Sequence, residues 1–235
     1  MKAPARKFWT RAEAREGEGG WIVALDDRPL RTPLGVPFAA PWRAVAEAAA
    51  AEWEAQSEAP DPQTMPVTRT VNTAIDRAGP EYDVVADMIA AYGESDLLCY
   101  RAPGPGSLVA RQAEGWDPLL AWAEGTLGAR LICGEGVVPV SQPPEALAAL
   151  SAAVRRRGSF ELTALHDLVV LSGALVLGRA VAEGAVAAED AWRLSRIDED
   201  FQAERWGEDA EAAAAAERRR GDFLFARRFL SLLSQ

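Results

Sequence analysis

Few residues in this chain could do chemistry. Its 235 residues hold one histidine, His166, two cysteines, Cys99 and Cys133, and two lysines, Lys2 and Lys7. Both lysines precede the expected folded region. A phosphate-loop lysine, a Schiff-base lysine and a lysine–serine dyad therefore have no candidate in the body of the chain. A single imidazole excludes His-rich zinc sites and any mechanism that needs two. His166 lies among Leu162, Leu165, Val169 and Val170 and reads as a core histidine donating to a backbone carbonyl. Ser172 lacks the upstream glycine of a nucleophile elbow and falls mid-helix. Cys99, between Leu98 and Tyr100, reads as a buried inert thiol; neither cysteine belongs to a CxxC pair, and both are expected to be reduced. Gly17-Glu18-Gly19-Gly20 and Gly104-Pro105-Gly106 do not sit between a strand and a helix, so they read as turns. No catalytic constellation, metal site or cofactor is expected.

One segment is more informative. Between Asp198 and Glu211 stand seven carboxylates (Asp198, Glu199, Asp200, Glu204, Glu208, Asp209 and Glu211) against Arg205 alone. As a helix, Leu194, Ile197 and Phe201 make one apolar stripe, while Trp192, Glu199 and Trp206 make a second, each seven apart. Glu199 would then be a carboxylate set between two tryptophans, and a carboxylate in such surroundings needs an arginine or several donors. Three readings stay open. The carboxylate closes an intramolecular ion pair, in a chain with 23 arginines. Or the segment is an exposed anionic and aromatic patch that receives another protein, charge-flanked aromatics being common interface anchors. Or two of its carboxylates form a catalytic acid pair.

The elements that must carry these residues begin with β structure. Trp21–Leu25 reads as a strand, Asp26-Asp27-Arg28 as a turn and Pro29–Thr32 as a short edge strand; Phe8-Trp9 is read as an earlier strand. Pro41 opens a helix to about Gln56, with Trp42, Val45, Ala49 and Trp53 on one buried stripe. Beyond a proline-rich linker, helices are expected at about 67–78, 81–92, 107–114, 117–127, 144–156, 160–182, 188–207 and 209–233. Arg130 to Gln142 is a non-helical excursion. The 160–182 helix is apolar nearly all round and should lie at the centre, with Ala174, Gly178 and Ala182 letting a neighbour approach closely. The expected fold is α+β: a small β-containing domain over 1–72 and a larger helical domain over 73–235.

Composition limits the partners. Net charge is −10, which disfavours a nucleic-acid surface. The longest uncharged apolar segment, 168–178, is too short for a bilayer that needs about 20 residues, and no signal peptide is visible, so membrane insertion is not expected.

With these residues laid out, the chain resembles the chaperones that assemble the catalytic head of F-type ATP synthase by binding its unassembled alpha subunit. Seven collinear motifs carry the resemblance: Arg6–Trp9; Leu25–Pro33; Ala51–Gln56; Met65–Arg69 with Asn72–Asp76; Asp96–Ala102; Arg111-Gln112 with Trp116–Leu120; and Gln202 with Trp206-Gly207. The resemblance implies a chaperone that is neither an enzyme nor ATP-dependent, free as a monomer, whose partner is the ATP synthase alpha subunit. It places client handling on Glu199 and Glu204, with Asp198, Asp200 and Trp206 beside them, and a structural role on Trp53, Arg31 and Trp116. Eukaryotic members carry a presequence for the mitochondrial matrix; this chain starts almost at the first motif and is Ala- and Arg-rich, which points to a bacterial cytoplasmic member. A hydrolase built on the acidic residues and a general interaction module are the competing classes. A deep pocket holding Glu199, Glu204 and a further polar group would favour the hydrolase.

Overall fold

The computed structural model describes residues 6–234; Lys2, at the start of the basic opening, lies outside them. The fold is α+β, a small sheet at the N-terminal end followed by a mostly helical chain. Two compact units emerge: Met1–Tyr82 with Ser159–Ala164 and Arg228–Gln235, and Asp83–Gly158 with Leu165–Arg227. The first thus runs past residue 72 and recruits two later segments.

In the first unit, β1 (Ala12–Gly17) and β2 (Gly20–Leu25) form an antiparallel hairpin from Ala12↔Leu25 to Gly17↔Gly20. β3 (Arg28–Pro29) and β4 (Ala39–Ala40) both pair with β2. Gly20 is required at the turn: its φ is +128°, and a Cβ there would lie 2.6 Å from the Ala40 carbonyl oxygen. Helix α1 (Arg43–Glu54) packs on β1 and β2, burying Val45 and Ala49. Trp42 and Trp53, at the ends of the expected stripe, are only half-buried.

The N-terminal motifs prove to be one hydrogen-bonded unit. Helix α2 (Pro66–Thr73) has no cap of its own. Its orphan N–H groups at Val67 and Thr68 donate to the two Glu52 carboxylate oxygens at 2.6 and 2.8 Å. Burial pushes this carboxyl up, and those donors pull it back. Gln56 is buried and ties the linker down, accepting from Asp61 N at 2.8 Å. Trp9 is buried edge-on against Trp53, centroids 5.2 Å apart. Phe8-Trp9 is therefore not the strand expected of it; Trp9 anchors a loop, and the first strand begins at Ala12. Arg31 Nη1 donates to the Gly35 carbonyl at 2.6 Å and closes the loop before β4.

The second unit holds α3 (Tyr82–Ala90) from Asp83 on, α4 (Gly106–Trp122), the short parallel pair β5 (Tyr100–Arg101) and β6 (Gly134–Glu135), and α5 (Pro144–Arg155). It also holds α7 (Leu175–Ala182), α8 (Ala188–Ser195) and α9 (Ile197–Trp206). Helices α6 (Ser159–Ser172) and α10 (Ala210–Leu232) contribute residues to both units. Three expected helix boundaries change. The 160–182 helix is two, α6 and α7, because Gly173 adopts φ +71° and ends the first. Helix α7 is the buried centre, and a Cβ on Gly178 would sit 2.7 Å from Val169 Cγ2, so the small-residue stripe receives the preceding helix. The 107–114 and 117–127 helices are one, α4, since Gly115 is a contact point rather than a break: a Cβ there would meet Leu194 and Ile197 at 2.8 and 2.9 Å. The 188–207 helix is also two, α8 and α9, hinged at Arg196 with φ −113° and ψ 10°.

His166 is half-buried and its Nδ1 faces the Asp167 carboxylate at 3.1 Å, so the expected carbonyl partner is replaced by its chain neighbour. Ser172 lies at a helix end, its hydroxyl donating to the Leu168 carbonyl at 2.6 Å. Cys99 is buried, and burial pushes its thiol up, which disfavours it as the first thiol to meet an oxidant from solvent.

Asp96 sets the start of α7. It is fully buried and accepts from Leu98 N at 3.1 Å and Val176 N at 2.8 Å. Burial outweighs these donors and raises its carboxyl to about 6. Its value in the unfolded chain is about 3.9. The folded state therefore binds this proton more tightly, so the group favours folding most below about pH 3.9. That contribution is lost as pH rises to about 6. Asp96→Asn is expected to remove this component. The stability difference between wild type and variant, from urea titrations at pH 4 to 7, should change with pH, and a constant difference would show that Asp96 does not titrate there.

A candidate partner-binding face on α9

The break at Arg196 decides what the acidic segment can do. With a break at Arg196 between α8 and α9, one helical stripe does not run from Trp192 through Glu199 to Trp206. Trp192 is buried against Phe223, centroids 5.7 Å apart, whereas Trp206 is 78% exposed. The expectation of Glu199 held between two tryptophans is therefore corrected: the periodicity ran through a residue that leaves helical geometry. Ile197 and Phe201 still form the buried side of α9.

That buried side is fastened to α4 by polar contacts on both flanks. Gln112 Nε2 donates to Asp198 at 2.6 Å, while Gln112 Oε1 accepts from Ala102 N at 2.8 Å. Arg111 grips both Glu204 oxygens at 2.7 and 2.9 Å and stacks over the Phe201 ring at 5.4 Å. This guanidinium holds the Glu204 carboxyl below its ordinary value. Trp116 is completely buried in α4 and donates through its indole N–H to the Leu194 carbonyl at 2.8 Å. Arg101 lies over the same indole at 5.3 Å and pairs with Asp117 at 2.7 Å. The motif residues Arg101, Arg111, Gln112 and Trp116 are thus the mounting of α9.

The acidic residues divide accordingly. Asp198 and Glu204 are already bound to α4. Glu199 and Asp200 face outward, about half exposed, each loosely paired with the Arg196 guanidinium at 3.6 and 3.7 Å. Such exposed, loose pairs contribute at most about 1 kcal/mol. The ion-pair reading of Glu199 is met in geometry but carries little energy. Trp206 extends the same helix into solvent, followed by exposed Glu208, Asp209 and Glu211. Asp209 caps α10, accepting from Ala212 N at 2.8 Å.

Glu199 also stands at a cavity of about 320 Å³ whose walls include Leu97, Tyr100, Trp192, Arg196 and Arg219. Glu204 is not part of it, so the two carboxylates do not converge on one pocket as a hydrolytic pair would require. Among the described residues, no three His, Cys, Asp or Glu side chains are placed to hold a metal ion, and no helix is long and apolar enough to cross a membrane. Sequence reasoning missed Arg196, Arg219 and the cavity itself. No local signal marks them, since they are brought together from separate helices.

Residues 6–124 match the family model described as ATP12 chaperone protein. Among solved structures, the chain is similar to Atp12 from Paracoccus denitrificans, with 51% identity over 97% of this chain and 98% of that one and a TM-score of 0.94. A variant of the Paracoccus protein with one aspartate replaced by lysine matches at 50% identity, covering 97% of each chain, also with a TM-score of 0.94. A candidate chaperone from Agrobacterium tumefaciens matches at 42% identity over 99% of this chain and 88% of its own, with a TM-score of 0.92.

Proposed function

Because the chain belongs to the ATP12 chaperone family, we propose that it assembles F-type ATP synthase by binding the unassembled alpha subunit. It does so without ATP and without catalysis, keeping the subunit from aggregating until the catalytic head forms. The observation that carries this reading is α9 itself, where Glu199 and Asp200 stand exposed on a helix that is pinned to α4 and ends in exposed Trp206. An unassembled subunit exposes apolar surface that it will later bury, which makes it prone to aggregate. An aromatic anchor ringed by carboxylates suits a temporary cover for such a surface. Long-range charge speeds encounter, and the final affinity need not be extreme, so the client can be released into the assembly.

The client role falls first on Glu199, Asp200 and Trp206. Asp198 and Glu204 act behind them, setting the angle of α9 through Gln112 and Arg111. The resemblance places Glu199 and Glu204 on an equal footing; the hydrogen bonds of Glu204 make its contribution chiefly one of position.

The test is a pull-down of the tagged protein from a lysate of its own organism. Enrichment of the ATP synthase alpha subunit is expected, and its absence from the bound fraction would overturn the proposal. The chain also offers no lysine beyond Lys7 to neutralise phosphates. Purified protein is accordingly expected to show no ATP binding by calorimetry at micromolar concentrations, and a stoichiometric heat would contradict an ATP-independent mechanism.

A further inference from the structure

The only two cysteines of the chain meet in space. Strands β5 and β6 run parallel with Tyr100 opposite Gly134 and Arg101 opposite Glu135. One residue before each strand stand Cys99, which ends the short turn Leu97–Cys99, and Cys133, so the register carried one step further sets them across from one another. Neighbouring strands lie about 4.8 Å apart. That spacing falls inside the range of Cα separations, about 4.4–6.8 Å, that a disulfide spans. Cys133 Sγ lies 3.9 Å from both Arg101 Nη2 and the carbonyl of Leu98, the residue before Cys99, and its nearness helps push the Cys99 thiol up. Backbone bonds hold this arrangement: Gly136 N donates to the Arg101 carbonyl at 2.8 Å, and the Gln142 side chain grips Ile132 N–H and C=O at 2.8 and 2.9 Å.

We propose that Cys99 and Cys133 are an oxidative modification site, closing to an intramolecular disulfide across the β5–β6 pair when the protein meets a peroxide. The asymmetry of the pair gives the order of events. Cys133 is exposed and Cys99 is buried. The Cys133 thiolate attacks the peroxide O–O bond, forming a sulfenic acid and releasing one water. The Cys99 sulfur then attacks the Cys133 sulfur, the S–S bond forms, and the displaced hydroxide leaves as a second water with the Cys99 proton. Two thiols lose two electrons and two protons, and hydrogen peroxide accepts both to give two waters. A reducing thiol reverses the link.

The crosslink would fasten the 129–142 loop, whose Val137 and Val138 are exposed, to the segment in which Leu97 and Tyr100 wall the cavity beside Glu199. It does not depend on the client proposed above, and its test contains no client. The full-length protein is treated with a few equivalents of hydrogen peroxide, alkylated after unfolding, and digested without reductant. A linked peptide pair containing Cys99 and Cys133 is expected, lost on reduction, with both thiols becoming inaccessible together. Cys133→Ser should leave Cys99 alkylatable at the same peroxide dose. Recovery of wild-type Cys99 as a free thiol, with Cys133 over-oxidised to sulfinic acid or joined to a second molecule, would overturn the proposal.

Discussion

Trp116→Ala is expected to destabilise the protein by about 3–5 kcal/mol, the usual loss for truncating a fully buried large aromatic side chain. The indole is completely buried, and its N–H is the donor for the Leu194 carbonyl at 2.8 Å. Truncation leaves a cavity and an orphaned carbonyl at the C-terminal end of α8, and it removes the surface on which Arg101 rests. In a chain of this length the melting temperature should fall by about 6–20 °C. Because the same residue supports the junction from which α9 departs, client holding should fall in parallel with stability. Thermal and urea melts decide the matter; a shift below about 1 kcal/mol would mean that α4 does not carry the α8–α9 junction.

Glu199→Lys is expected to do the opposite. The side chain is about half exposed and its Arg196 partner is 3.6 Å away, so reversal should cost no more than about 1 kcal/mol. The variant should melt almost normally and hold the alpha subunit at least tenfold less well, as expected for reversing a charge beside an interface anchor. Full protection by the folded variant would reduce the acidic face to a solvated surface. Glu204→Lys is a less clean probe, since it sets a cation against Arg111 and disturbs the seat of α9 itself.

The sequence could be read where local patterns govern structure. The strand Trp21–Leu25 and the turn after it follow from an apolar run ending in Asp26-Asp27-Arg28, and α1 from a proline start and a stripe at helical spacing, whereas β1 carried no signal that was read. The centrality of α7 follows from a run that is apolar but for Arg179. Reading failed where tertiary contact overrides the local signal. Gly115 has the look of a helix break, yet it serves as a seat for Leu194 and Ile197. Pro118 likewise does not end α4, since it lies on the exposed side of the helix. Arg196 carries no glycine or proline signature, and the turn it makes separates the two tryptophans that periodicity had aligned. The acidity of the 198–211 segment was plain. Which of its carboxylates are already taken was not, because Asp198 and Glu204 find their partners 86 and 93 residues away.

The alpha subunit itself provides the most direct test. Purified alpha subunit of the ATP synthase from the same organism, diluted from denaturant without nucleotide, should scatter light as it aggregates. An equimolar amount of this protein should suppress that scattering and yield a one-to-one complex on gel filtration, with or without ATP. Undiminished aggregation with no complex, or protection that appears only when ATP is hydrolysed, would contradict the proposed function.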